Sequence, residues 1–240
     1  MVSRGLCPSR EFAKRLILSG RVRVNGHPAA KASDPAEESD EIALIEAERF
    51  VSRGGHKLEH ALGHFQISVQ GARAVDLGAS TGGFTDCLLQ HGASRVYAVD
   101  VGRGQLAWTL RRDPRVVVME KTNARHLVPQ NFPGNFEPVD WVTIDCSFIS
   151  LRLLLAPAAT LLRKGGGIVA LIKPQFEAGK AEADKGRGVI TDAAVHQRVI
   201  AELETHVSSL RGLHWRGVTP SPLEGPAGNK EFLCLIEKTR

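Results

Sequence analysis

Apolar residues first fall at helical spacing over residues 10–18, where Phe12, Ala13, Leu16 and Ile17 share one face. Ser9 precedes them as an N-cap and Gly20 follows as a stop, while Arg10, Lys14 and Arg21 occupy the opposite face. The period then changes to two: Arg21-Val-Arg-Val alternates charge with valine, and Asn25-Gly26 predicts a hairpin turn. Residues 32–48 are acidic and irregular, with a strand at Ile42–Ile45, and 49–56 read as a linker.

Beyond a helix at Leu58–Phe65 the apolar runs become continuous and alternate with helical patterns, as in a buried parallel sheet. Strands are predicted at Ala74–Leu77, Arg95–Asp100, Arg115–Met119, Val139–Asp145 and Gly165–Lys173, with helices at Phe84–Leu89, Leu151–Arg163 and from a Thr191-Asp192 cap to Leu210. Leu213–Val218 and Glu231–Ile236 read as a closing, hairpin-like pair of strands. Pro174 ends its strand, and Gln175–Thr191, which holds Lys180 and Lys185, reads as a mobile loop beside the strand ends. The pattern predicts an α/β, Rossmann-like domain with a mostly parallel sheet over 57–240, preceded by a small α+β module over 1–48.

The first strand runs into a glycine-rich loop, Asp76-Leu-Gly78-Ala-Ser80-Thr-Gly82-Gly83-Phe84, a strand–loop–helix unit suited to nucleotide binding. It lacks the G-x-G-x-x-G order of a dinucleotide site, and a carboxylate at Asp76 would repel a pyrophosphate. A cationic ligand carrying an ammonium and a sulfonium, S-adenosylmethionine, fits it better. Asp100 lies 24 residues past Asp76, near the distance at which an acid meets ribose hydroxyls. Val101 beside it and Asn123, placed to contact an adenine, complete the candidate cofactor set with Asp145.

A chain of 240 residues with 42% hydrophobic content holds one α/β domain and a small second one. The net charge of +5 is local: residues 1–31 carry seven basic side chains against Glu11, and the remainder is close to neutral. A confined polycation is the footprint of a nucleic-acid contact. Cys7, Cys87, Cys146 and Cys234 are widely separated, which suggests neither a disulfide framework nor a zinc site and fits free thiols in a reducing, cytoplasmic setting. No apolar run reaches the length of a membrane span, and no metal is called for.

Ser9, Arg10, Ala13, Leu16, Ile17, Gly20, Val22, Val24, Asn25 and Gly26 match S-R-x-x-A-x-x-L-I-x-x-G-x-V-x-V-N-G, and this stretch resembles the αL RNA-binding motif of RNA-modifying enzymes. The first helix of that motif begins upstream of where this chain opens, so either the true start lies upstream or the module is a truncated version. The candidate RNA contacts are Arg4, Arg10, Lys14, Arg15, Arg21 and Arg23.

Four charged residues from separate segments, Lys57, Asp145, Lys173 and Glu231, are expected at one sheet edge. Two lysines and two acids in one cleft are costly unless paired, and a lysine beside another cation loses its proton more readily, as a general base must. The order lysine, aspartate, lysine, glutamate resembles that of the FtsJ-like ribose 2′-O-methyltransferases. The strings S-R-G-G-x-K-L, D-x-G-A-S-T-G-G-F-T, V-D-V-G-x-G-Q-L, D-x-S-F-I-S-L, L-I-K-P-Q-F-E and G-x-x-G-N-x-E-F are similar to its TlyA branch, often labelled haemolysin-like, across nearly the whole chain.

The resemblance implies a class I S-adenosylmethionine-dependent methyltransferase fold with seven strands, and methylation of a cytidine ribose in ribosomal RNA. Lys173 is then the residue that accepts or polarises the 2′-OH proton, Asp145 orients it, and Lys57 and Glu231 hold the charge balance and the substrate sugar. Other classes are a membrane-active haemolysin, a nicotinamide oxidoreductase on the same fold, and an RNA-binding protein without catalysis. The missing G-x-G-x-x-G weighs against the second, and the intact set of four against the last.

Overall fold

The fold is taken from a computed structural model, which describes residues 1–45, 48–179, 182 and 186–239. The chain divides into two compact units, Met1–Arg49 and Phe50–Arg240.

In the first unit, α1 (Arg10–Leu18) is capped as its sequence implies, with Ser9 Oγ accepting from Phe12 N at 3.2 Å. Three short antiparallel strands, β1 (Val22–Val24), β2 (His27–Pro28) and β3 (Ile42–Leu44), form a sheet in the order β2-β1-β3. The β1–β2 turn is Asn25-Gly26, both at positive φ (50° and 79°), the conformation that a two-residue hairpin of this hand requires. Cys7, Leu16 and Val22 make the buried core of this unit.

In the second unit a seven-stranded sheet has the order β6-β5-β4-β7-β8-β10-β9. Its strands are β4 (Arg73–Leu77), β5 (Arg95–Val99), β6 (Val116–Met119), β7 (Val139–Ile144), β8 (Leu162–Ile172), β9 (Leu213–Pro220) and β10 (Phe232–Lys238). The first five are parallel, β10 runs antiparallel to β8, and β9 antiparallel to β10. The helices are α2 (Gly54–His64), α3 (Gly83–Gln90), α4 (Trp108–Arg111), α5 (Arg152–Leu161), α6 (Pro174–Glu177) and α7 (Ala193–Ser209). Leu58, Ala61, Phe84, Leu88 and Leu110 of α2–α4 bury one face of the sheet, and Leu154, Leu155, Val199 and Leu203 of α5 and α7 bury the other.

The strand order reverses between β4 and β7, since β5 and β6 lie to one side and β8 to the other. Ligands of open α/β sheets bind at such a switch point, beyond the carboxyl ends of the strands. Here those ends are Leu77-Gly78 and Ile144-Asp145.

Two boundaries differ from the sequence reading. Part of 49–56, read as a linker, packs into the second unit: Phe50 is buried, its ring leaves no room for a Cβ on Gly55, and Val51 N donates to Asp86 Oδ2 at 2.8 Å. Gln175–Thr191 does not begin as a loop, because Pro174, whose fixed φ suits a first helical position, opens α6. The loop lysines Lys180 and Lys185 lie outside the described residues.

Candidate active site

Asp145 and Lys173 are the residues immediately after β7 and β8, and Glu231 immediately precedes β10. Because β7 and β8 are parallel while β10 is antiparallel, the ends of the first two and the start of the third share one edge. Lys57, from the second turn of α2, reaches the same place. All four line a cavity of about 300 Å³ together with Gly78, Ser147 and Arg53.

The charges are closed into two pairs rather than left as lysine against lysine. Lys57 Nζ meets Glu231 Oε2 at 2.5 Å, and Lys173 Nζ meets Asp145 Oδ1 at 2.6 Å. Lys57, Lys173 and Glu231 are buried, and Asp145 is half-buried. Burying ions costs several kcal/mol each unless they are paired with good geometry, so each carboxylate is what allows its lysine to sit there.

A second cavity of about 430 Å³ lies alongside and shares Gly78, Ser80, Asp145 and Ser147 with the first. Asp100, Val101 and Asn123 line it, as do Gln105 and Thr122. Asp100 shapes its floor: Oδ2 accepts from Ser80 N at 2.8 Å and Oδ1 from Gly102 N at 2.7 Å, which fixes the glycine-rich loop against the end of β5. Asn123 Oδ1 accepts from Arg125 N at 3.0 Å. Gly78 is where the wall demands glycine: at φ 84°, a Cβ would lie 2.7 Å from the Asp145 carbonyl oxygen.

Several residues assigned to the cofactor from sequence sit elsewhere. Asp76 is not at the strand end but one residue inside β4, cross-strand from Thr143. It is fully buried, with Oδ2 accepting from Thr85 Oγ1 at 2.7 Å and Oδ1 from Thr143 Oγ1 at 2.9 Å, and it lines neither cavity. Burial pushes its carboxyl up to about 6 against the lowering effect of those hydroxyls. Gly82 points toward Leu110 and Leu106, so it serves packing. Gly83 and Phe84 line the first cavity instead, and Gly83 lets α3 approach α2 closely, its Cβ position lying 2.8 Å from Gly55 N.

Other participants escaped the sequence reading. Ser147 Oγ accepts from Lys173 Nζ at 3.0 Å. Glu177 of α6 accepts from Ser150 Oγ at 2.6 Å and Leu151 N at 2.7 Å, tying the turn after Lys173 to the segment after Asp145. The Phe148 and Phe176 rings, 5.1 Å apart, join the same two segments. The strings D-x-S-F-I-S-L and L-I-K-P-Q-F-E are thus two sides of one contact. Cys146, half-buried in the wall, has its thiol pushed up to about 12 by burial and by Asp145, which disfavours the thiolate. Among the described residues no cluster of His, Cys, Asp and Glu could hold a metal.

In the first unit, Arg4 is committed internally: its guanidinium donates to the Asp40, Glu37 and Glu38 carbonyl oxygens at 2.5, 2.6 and 3.0 Å. Arg21 Nε donates to Ile45 O and Arg23 Nη1 to Gly26 O, while Arg15 lies over the Phe12 ring. Arg10 and Lys14 have no ion pair among the described residues and line a groove of about 870 Å³ with Ile17, Val24 and Lys31.

Residues 50–238 match the FtsJ-like methyltransferase family, and residues 1–42 match the S4 domain. The chain is 47% identical over 238 residues to the 16S/23S rRNA (cytidine-2′-O)-methyltransferase TlyA of Mycobacterium tuberculosis, covering 98% of this chain and 87% of that one. It is 40% identical over 234 residues to Hemolysin A of Brachyspira hyodysenteriae, covering 97% and 95%. A solved structure of a hemolysin-named protein from Streptococcus thermophilus superposes with a TM-score of 0.76 at 44% identity, covering 98% of this chain and 84% of that one.

Proposed function

The chain belongs to the FtsJ-like methyltransferase family, and from that premise we propose that it is an S-adenosylmethionine-dependent ribose 2′-O-methyltransferase of ribosomal RNA, with a cytidine as the modified nucleotide. The observation that carries the reading is the shared wall of the two cavities. Gly78, Ser80, Asp145 and Ser147 separate a nucleoside-sized space from one holding two lysine–carboxylate pairs.

The larger cavity suits the cofactor: Asp100 offers its carboxylate to a ribose, Asn123 a side-chain amide to a base, and Gly78 bare backbone where a side chain would not fit. S-adenosylmethionine supplies an electrophilic methyl group on a sulfonium. The chain supplies position and proton handling. Lys173 faces the smaller cavity, where, after its ammonium has released a proton to solvent, its amine takes the proton of the ribose 2′-OH, and Asp145 holds that amine through the 2.6 Å contact. Lys57 and Glu231 hold the sugar, each neutralising the other so that neither distorts the field at the attacking oxygen. Bound S-adenosylmethionine would supply the methyl group, with its sulfur keeping the electron pair of the methyl–sulfur bond, and Lys173 would carry away the 2′-OH proton and then release it to solvent.

Arg10 and Lys14 of the S4 unit bind rRNA phosphates and add affinity with little sequence choice. Action on ribosomal RNA supports a cytoplasmic location. Among the described residues no helix is long and apolar enough to cross a membrane.

The test is incubation with radiolabelled S-adenosylmethionine and ribosomal subunits that lack the modification, beside a Lys173→Ala variant. Label recovered as an alkali-resistant dinucleotide, and lost in the variant, is the expected result. Cofactor binding without any label in rRNA sinks the reading.

A further inference from the structure

Lys173 has a second partner, Ser147, to which none of the assignments above gives a role. Ser147 lies two residues past Asp145, and its Oγ accepts from Lys173 Nζ at 3.0 Å. It lines both cavities, so it stands where the two meet. The next residue, Phe148, adopts φ 63°, a left-handed conformation that residues other than glycine rarely take. The segment is held in that shape across its far side, where Glu177 takes Ser150 Oγ and Leu151 N.

The valences of the amine give this contact its meaning. An uncharged Nζ has one bond to Cε, two N–H bonds and one lone pair, arranged tetrahedrally. Asp145 Oδ1 at 2.6 Å and Ser147 Oγ at 3.0 Å are two acceptors, one for each N–H. With both occupied, the lone pair is the remaining direction. An amine with a spare N–H could instead turn that donor toward the ribose oxygen, where it cannot take a proton.

We propose that Ser147 is a positioning residue for methyl transfer: together with Asp145 it occupies both N–H bonds of Lys173 Nζ and leaves the lone pair for the substrate 2′-OH. The inference rests on the 2′-O-transfer reading and deepens it. During transfer the 2′-OH proton bonds to that lone pair while its O–H electrons form the bond to the methyl carbon. The resulting ammonium keeps two of its three N–H bonds on the same acceptors, and its third proton is the one released to solvent.

Two variants of the full chain test it, Ser147→Ala, which removes the acceptor, and Ser147→Thr, which keeps it. In methyl-transfer assays on ribosomal subunits, Ser147→Ala is expected to lower kcat about 10-fold, within the ~100-fold that an ångström of misplacement can cost. KM for S-adenosylmethionine and for subunits should stay within about twofold, because orientation of the amine and not binding is lost. Ser147→Thr should recover most of the rate. Brief acetylation with acetic anhydride, read at Lys173 by mass spectrometry against exposed Lys164, needs no RNA. It should fall severalfold in Ser147→Ala, where an N–H can take the place of the lone pair at the cavity, and not in Ser147→Thr.

Parental kcat in Ser147→Ala, or equal losses in both variants, overturns the proposal, the second because it would mean that packing and not the hydroxyl matters. A parent protein that methylates no rRNA overturns the functional reading. The acetylation ratio then still decides on Ser147, with unchanged labelling counting against it.

Discussion

Gly78 and Asp145 touch through their backbones: a Cβ built on Gly78 would lie 2.7 Å from the Asp145 carbonyl oxygen and 2.9 Å from its carbonyl carbon. The contact closes the gap between β4 and β7 where the sheet order reverses, and it sets the distance between the glycine-rich loop and the Lys173–Asp145 pair. Gly78→Ala therefore meets two obstacles, a φ of 84° and a backbone wall that cannot yield. The expected result is at least 10-fold weaker binding of S-adenosylmethionine by calorimetric titration, with a melting point several degrees lower. Parental cofactor affinity in this variant would mean that the ligand does not lie against Gly78.

The Lys57–Glu231 pair offers a way to separate folding from catalysis. Glu231→Ala leaves the Lys57 ammonium buried without a partner, which typically costs about 3–5 kcal/mol. Replacing both, as Lys57→Met with Glu231→Leu, removes the uncompensated charge and should recover most of that stability in denaturant titrations. Methyl transfer should stay lost in the double variant. If activity returned with stability, the pair would be structural.

Much of this site was legible because a continuous apolar run that ends in a charge has few places to put it. Asp145 and Lys173 follow strands of that kind, and the sheet edge is where such charges escape burial. Asp76 broke the pattern by one residue: with Leu77 still inside β4, alternation turns Asp76 into the layer beneath, onto Thr143. Gly82 could not be told from Gly78 by sequence, since both take positive φ and only the neighbours, Leu110 against Asp145, differ. The partner of Lys57 lies 174 residues away, and no local pattern carries that information. Arg4 illustrates the same limit among the cations, because its three carbonyl acceptors come from a loop more than thirty residues on.

Asp76 should make stability depend on pH in a direction opposite to that of a salt-bridged carboxylate. Its folded value, about 6, lies above the unfolded value near 4, so the native state holds a proton that the unfolded chain has released. Stability from this group is complete below pH 4 and is lost as pH rises through 6, a difference of ~3 kcal/mol at most. Asp76→Asn, which carries no charge to bury, should gain on the parent as pH rises from 4 to 7. Melting curves across that window check it, and a constant gap between the two proteins would rule out Asp76 as the titrating group.

Arg10 and Lys14 differ from Arg4 in what their charges touch, and the difference predicts opposite phenotypes. The first two line an open groove with no ion pair among the described residues, whereas the guanidinium of Arg4 is taken up by the Asp40, Glu37 and Glu38 carbonyls. A cation that neutralises an RNA phosphate contributes roughly 0.7–0.9 to the slope of log affinity against log salt concentration. Arg10→Ala and Lys14→Ala should each weaken binding to rRNA and reduce that slope by about that amount, with the melting point unchanged. Arg4→Ala should leave the slope nearly as it was and lower the stability of the first unit, read as faster amide exchange in α1 and β1. A slope change in Arg4→Ala as large as in Lys14→Ala would show that Arg4 leaves its carbonyls for RNA, and the division between structural and binding cations would have to be redrawn.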